Sequence, residues 1–207
     1  MALDVLFSGF APFGGDASNP SWSAAQYAAK LLSGEGIRAE AKELPVEFGV
    51  AARELLRLVE TEKPRVVIAA GLAAGRKAVT PERIGINLRD ARIPDNAGAQ
   101  PLDERIVADG PDAHFSTLPC KAIVAALGRA DIPASLSYHA GTYVCNDLLY
   151  LLLHGVAEGC RAGFVHVPAE SDLDLLVSGR ALAIAAREAL AVGDGVGDAR
   201  LRGGSEA

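Results

Sequence analysis

The chain has 207 residues, half of them hydrophobic, which is enough to bury one substantial core. Its 20 basic and 26 acidic residues leave a formal charge of −6. No run of like charge stands out, which excludes the clustered Lys/Arg surface that nucleic acid or an anionic membrane requires, and no apolar run approaches the length of a membrane span.

The N-terminal stretch Met1 to Phe10 lacks a basic region and carries Asp4, so it does not read as a secretory signal. Asp4 to Gly9 is a short apolar run ending in glycine, as a buried first strand would. Phe10 to Pro20 is a Gly-, Pro- and Asn-rich loop that nevertheless holds Phe10 and Phe13. Aromatics in such a loop either staple it to the core or line a pocket. Ser21 to Leu32 has helical spacing and stops at Gly34. Ile37 to Leu44 alternates like a half-buried strand, and Phe48 to Thr61 is a second amphipathic helix.

Pro64 to Gly71 is a continuous apolar run of the kind buried on both faces of a parallel sheet. Leu72 to Arg76 turns away from its end. Ala78 to Leu88 reads as one further strand with Glu82 near its start, and Asp90 to Pro101 as a long polar connection of the sort that is functional or disordered. Lys121 to Ala130 reads as helix, and Ile132 to Tyr138 as a short strand. Asp147 to His154 reads as helix, with Gly141-Thr142 as turn and N-cap before it. Arg161 to Pro168 is a strand with His166 near its C-terminal end, and Leu173 to Val192 a long helix. The expectation is one α/β domain over residues 1–192, a sandwich with a mostly parallel sheet between helical layers, followed by a frayed Gly-rich tail over 193–207.

In such sheets, ligands sit beyond the C-terminal strand ends. Gly9-Phe10, Gly71-Leu72, Tyr138 to Thr142 and His166 all fall there. Cys145 would lie in the first turn of its helix, where unpaired N–H groups and the dipole lower a thiol pKa; the alternative is a small buried hydrophobe. A cysteine nucleophile needs a base, itself oriented by a polar group. Among His114, His139, His154 and His166, only His166 ends an apolar strand, although a structural histidine would sit there equally well. Glu82 is the candidate orienting carboxylate; the alternative is a solvated charge beside Arg83. No His/Cys/Asp cluster has metal-ligand spacing and no phosphate loop is present, so neither metal nor cofactor is expected. Cys120, Cys145 and Cys160 cannot all pair and read as free thiols in a reducing, cytoplasmic setting.

Six segments in order resemble one family. They are Gly9-Phe10-x-Pro12-Phe13-Gly14-Gly15-x-x-x-Asn19-Pro20, Leu44-Pro45-Val46, Thr80-Pro81-Glu82-Arg83-x-x-x-Asn87, Asp90 to Asn96, Ala140 to Asn146, and Gly163-Phe164-x-His166-Val167-Pro168. The chain resembles pyrrolidone-carboxylate peptidase, the cytoplasmic cysteine peptidase family also called pyroglutamyl peptidase type I. The resemblance implies a Cys145–His166–Glu82 triad acting on peptides blocked by N-terminal pyroglutamate. It also implies a single α/β/α sandwich assembled as a homodimer or homotetramer. Phe10 and Phe13 would flank the lactam ring, Val144 would pack against it, and Arg92 would shape the field near the thiolate.

Leu72 departs from the family's usual Gln in the Gly71–Arg76 turn. It offers no hydrogen bond, a loss of about 0.5–1.5 kcal/mol, so the Phe10–Ser18 loop is expected to be mobile before ligand binds. Two other readings stay open: a hydrolase or transferase acting on another small amide, and a small-ligand binder that has lost productive loop order.

Overall fold

Apolar runs too continuous to face water on either side build the centre of the molecule. In the computed structural model, which describes residues 2–192, strand β1 (Val5–Phe10) is buried at every position. β3 (Val66–Leu72) is buried through its first six residues and β7 (Arg161–Val167) through its last six. These three form the middle of a five-stranded sheet of order β2-β1-β3-β7-β4. β2 (Ala39–Leu44) is the outer strand on one side, and its alternating exposure matches its alternating sequence. The other edge is β4 (Thr80–Glu82), the one antiparallel strand of this sheet. β1, β2, β3 and β7 run parallel.

Successive residues of each central strand point to opposite faces and feed two separate cores. Val66, Ile68, Val165 and Val167 pack towards α1 (Pro20–Gly34) and α5 (Leu175–Ala191). α3 (Cys120–Arg129) joins that layer. Val67, Ala69, Ala162 and Phe164 pack towards α2 (Val50–Glu62) and α4 (Val144–Gly155). Helices on both faces make this a mostly parallel α/β sandwich, as expected from the alternation of patterns. The Asn19 side chain caps α1 with Pro20 behind it, and Asp174 caps α5 with bonds to the N–H groups of Leu176 and Val177.

Three local expectations are corrected. The run from Ala78 to Leu88 is two three-residue strands: β4 in the main sheet, then β5 (Ile84–Ile86), which pairs with β6 (Ala113–Phe115) in a small antiparallel sheet against α4. The chain changes sheets at Arg83, so Glu82 is the last residue of β4 rather than near the start of a longer strand. His114, expected in a loop, lies on β6. Ile132 to Tyr138 is extended beside β4, with Val79 and Ser137 N–H bonded to Pro133 and Pro81 carbonyls, but it makes only isolated bridges. Pro133 lacks the N–H that a regular ladder would need. The tail expected over 193–207 lies outside the described residues. Among the described residues no helix is long and apolar enough to cross a membrane.

Candidate active site

Two anchored neighbours fix the start of α4, and with it Cys145. Asn146 is fully buried; its Nδ2 donates to the carbonyls of Ile86 at 2.8 Å and Leu88 at 3.0 Å, and its Oδ1 accepts from Ile86 N–H at 3.0 Å. Asp147 accepts from Gly49 N–H at 2.7 Å and from Arg89 Nε at 2.6 Å. Burial pushes the Asp147 carboxyl up, against the pull of Arg89 and Gly49. The expected Thr142 cap is replaced by Tyr143, which makes no side-chain cap bond; Thr142 Oγ1 instead donates to the Asp90 carbonyl at 2.8 Å. Gly141 supplies the sharp turn, with φ +80.

The sheet brings the other two candidates to the same face. His166 is two residues from Phe164, and both point towards α4; their rings lie 4.8 Å apart. β4 pairs with β7 so that Glu82 stands opposite Phe164 and Thr80 opposite His166. Glu82 Oε1 accepts from His166 Nδ1 at 2.6 Å and from Arg76 Nη1 at 2.7 Å. Arg76 also donates to Thr80 Oγ1 at 2.6 Å. Burial alone would raise the Glu82 carboxyl, but the His166 hydrogen bond and charge, then Ser137 and Arg76, hold it below its usual range. Glu82 Oε2 has no hydrogen-bond partner within bonding geometry among the described residues, and the Ser137 hydroxyl beside it donates to the His139 carbonyl at 3.3 Å.

The thiol sits over the bare Cα of Gly71, which is in register with His166 on the adjoining strand. A Cβ on Gly71 would lie 3.1 Å from Cys145 Sγ and 2.6 Å from Phe164 Cζ. Only glycine leaves room there. No hydrogen bond joins Sγ to His166 among the described residues. Such contacts are commonly long before substrate arrives and tighten in the Michaelis complex.

The expectation of a lowered thiol pKa is overturned. Burial and the Glu82 charge push Cys145 up to about 12, outweighing the opposing pull of Arg76 and of the helix-start backbone N–H. The helix dipole reaches only a turn or so, and here desolvation is larger.

Cys145 opens on a cleft of about 320 Å³ whose walls include Phe10, Phe13, Val46, Leu72, Tyr143 and Val144. Four of the residues singled out from sequence for ligand contact, Phe10, Phe13, Val144 and Leu72, are thus brought together. Arg92 is not; it is exposed and does not line the cleft. Two contributors were missed. Arg76 closes the turn after β3 and reaches back to Glu82, while Tyr143 packs between Phe13 at 5.6 Å and Phe48 at 5.3 Å and bonds the Pro94 carbonyl. An aromatic immediately before a helix start was the available signal for Tyr143. The Phe10–Ser18 loop is anchored independently of Leu72: Asn19 Nδ2 donates to the Ala11 carbonyl and Asn96 Nδ2 to the Pro12 carbonyl, each at 3.1 Å. Among the described residues no group of three or more His, Cys, Asp or Glu side chains is placed to hold a metal ion.

A family model described as pyroglutamyl peptidase matches residues 3–176. The chain belongs to the pyroglutamyl peptidase family. It is 53% identical over 167 residues to a pyrrolidone-carboxylate peptidase of Chromobacterium violaceum, covering 79% of this chain and 77% of that one. A Streptomyces coelicolor pyrrolidone-carboxylate peptidase is 51% identical over 170 residues, with the same coverage of 79% and 77%. Among solved structures, pyroglutamyl peptidase I of Bacillus amyloliquefaciens aligns with a TM-score of 0.84 at 39% identity, covering 93% of this chain and 97% of that one. The Thermococcus litoralis pyrrolidone carboxyl peptidase aligns at 0.81 and 39%, covering 90% and 92%.

Two outcomes follow from the geometry. Gly71→Ala should cost about 1–3 kcal/mol of stability by overpacking and lower kcat/KM at least tenfold, read by denaturant titration and by turnover; an undisturbed enzyme would mean that Phe164 and Sγ can both move aside. Because its pKa is raised, Cys145 should be a thiol across the neutral range. The thiolate ultraviolet absorbance, taken as wild type minus Cys145→Ser, should be near zero between about pH 6 and 8. One full thiolate equivalent in that window would contradict the burial argument.

Proposed function

We propose that this pyroglutamyl peptidase family member releases N-terminal pyroglutamate from peptides by acyl transfer to Cys145, with His166 as base and acid and Glu82 orienting it. The observation that carries the reading is the 2.6 Å Glu82 Oε1–His166 Nδ1 bond, which leaves Nε2 as the working nitrogen on the face that holds Sγ. With the Cys145 thiol raised by burial, the proton passes to His166 as sulfur attacks the carbonyl carbon; Glu82 then faces an imidazolium it is placed to stabilise. The first turn of α4 leaves the N–H groups of Val144 and Cys145 without intrahelical acceptors, suited to the developing oxyanion. The tetrahedral adduct expels the peptide amine, which takes the His166 proton, leaving a thioester. Water, deprotonated by His166, cleaves the thioester to free pyroglutamic acid and restores the thiol.

A pyroglutamyl group has no free α-amine, so its slot needs apolar walls and few polar contacts. The Phe10, Phe13, Val46, Leu72 and Val144 walls meet that need. Asn19, which also lines the cleft, has its amide spent on Ala11 and Ser21. Arg92 and the mobile-loop role of Leu72 have no such support. A single domain over 1–192, residence in the cytoplasm and assembly as a homodimer or homotetramer belong to the same proposal: the first is supported by the unbroken alternation of strand and helix patterns, the second by the free thiols and the family resemblance, and the third by the resemblance alone.

Turnover of a pyroglutamyl arylamide, set against prolyl and alanyl arylamides, tests the reading. Only the pyroglutamyl substrate should be cleaved, and Cys145→Ser should abolish cleavage while keeping the wild-type unfolding midpoint. Glu82→Gln should lower kcat about a hundredfold or more, because the amide can hold the wrong imidazole tautomer and cannot balance imidazolium. Glu82→Gln activity within about twofold of wild type, less than about 0.5 kcal/mol of barrier, would remove Glu82 from the mechanism.

A further inference from the structure

Beyond Arg76, on the far side from the cysteine cleft, lies a larger groove of about 840 Å³. Apart from Arg76, its lining residues take no part in the acyl chemistry described above. Arg76, Lys77 and His139 contribute to its lining, with Thr80, Ser135 and Ser137 among the other polar residues. No aspartate or glutamate lines it. On a chain of net charge −6, a groove with cationic side chains and no carboxylate is a departure that asks for an anionic occupant.

The order of the strands says which occupant. The lactam slot is built on the β1 and β3 ends by Phe10 and Leu72, and sulfur lies over Gly71 of β3. His166 is on β7, the next strand, and Thr80 opposite it on β4 lines the groove. The general acid must stand on the leaving-group side, within hydrogen-bond reach of the departing nitrogen. A substrate with its ring in the slot and its scissile carbonyl at sulfur therefore sends its remaining residues across β7 towards β4. Arg76, bonded to both Thr80 and Glu82, is the floor between the two sites. His139 is six residues before the nucleophile, and its Nδ1 accepts the Gly141 N–H at 3.2 Å, fixing the groove rim to the turn that feeds α4.

Resting on the peptidase reading, we infer that this groove receives the leaving part of the peptide and favours a carboxylate there, either the free C-terminus of a pyroglutamyl dipeptide or an acidic side chain one residue further on. Lys77 is the exposed cation that sets the preference. Arg76 is also tied to Glu82, so it cannot be varied without touching the triad.

The experiment compares kcat/KM for pyroglutamyl-alanine, pyroglutamyl-alanine amide and a pyroglutamyl arylamide, in wild type, Lys77→Gln and Lys77→Glu. An exposed ion pair contributes about 0.2–1 kcal/mol, so the free acid should be favoured over the amide by up to about fivefold. The preference should shrink as salt rises. Lys77→Gln should reduce it, and Lys77→Glu should reverse it, with arylamide turnover unchanged. An acid-to-amide ratio that is the same in all three proteins overturns the assignment. Pyroglutamyl-alanyl-glutamate amide, tested alongside pyroglutamyl-alanyl-glutamine amide, carries only the side-chain carboxylate and so separates it from the C-terminal one: at least one of the two preferences must follow Lys77, and indifference of both to Lys77 again overturns the assignment. Absence of arylamide turnover in the wild type would overturn the peptidase reading itself, and this inference with it.

Discussion

The missing side chain at Gly71 is the constraint on which the site depends. It lets the nucleophile-bearing helix approach the sheet until Sγ rests against the strand beside His166, with the Phe164 ring filling the remaining space. Neither strand could supply this alone, since the sulfur comes from the helix layer, the bare Cα from β3 and the ring from β7. Packing in a dense interior transmits small displacements, so the position of the thiol is as well defined as the helix that carries it. Asn146 and Asp147 provide that definition, by clamping the first turn of α4 to β5 and to the start of α2.

Charge in the site is balanced around one oxygen. Glu82 Oε1 serves both His166 and Arg76, and the carboxylate stays ionised although fully buried. Burial, and that same charge, disfavour a thiolate at Cys145. The arrangement places its stabilisation where positive charge appears on the imidazole, after the proton has moved. An uncompensated charge buried at this depth would be costly, and the hydrogen bond from His166, helped by Ser137 and Arg76, keeps Glu82 ionised.

Much of this was legible before any coordinates. The long apolar runs at Val5 and Val66, the strand ending in His166 and the cysteine at a helix start each carry enough pattern to be read, and the parallel sheet follows from their alternation with helices. The short strands were not legible: three residues at Thr80–Glu82 and three at Ile84–Ile86 hold too little periodicity to show the change of sheet at Arg83. Thr142 is a good N-cap by type, but its hydroxyl is taken by Asp90 across the loop. The thiol pKa was misjudged because sequence displays the helix start and hides the burial. Arg76 escaped notice because its partner is on a neighbouring strand and no spacing rule connects them.

Catalysis by this site requires Cys145 to form the bond to the acyl group. Acid quenching during steady-state turnover of a slowly hydrolysed pyroglutamyl ester, followed by peptide mapping by mass spectrometry, reads that bond directly. A pyroglutamyl adduct on the peptide containing Cys145, absent from those containing Cys120 and Cys160, is the predicted result. Turnover with no adduct under conditions that make deacylation limiting, or an adduct on another cysteine, would contradict it.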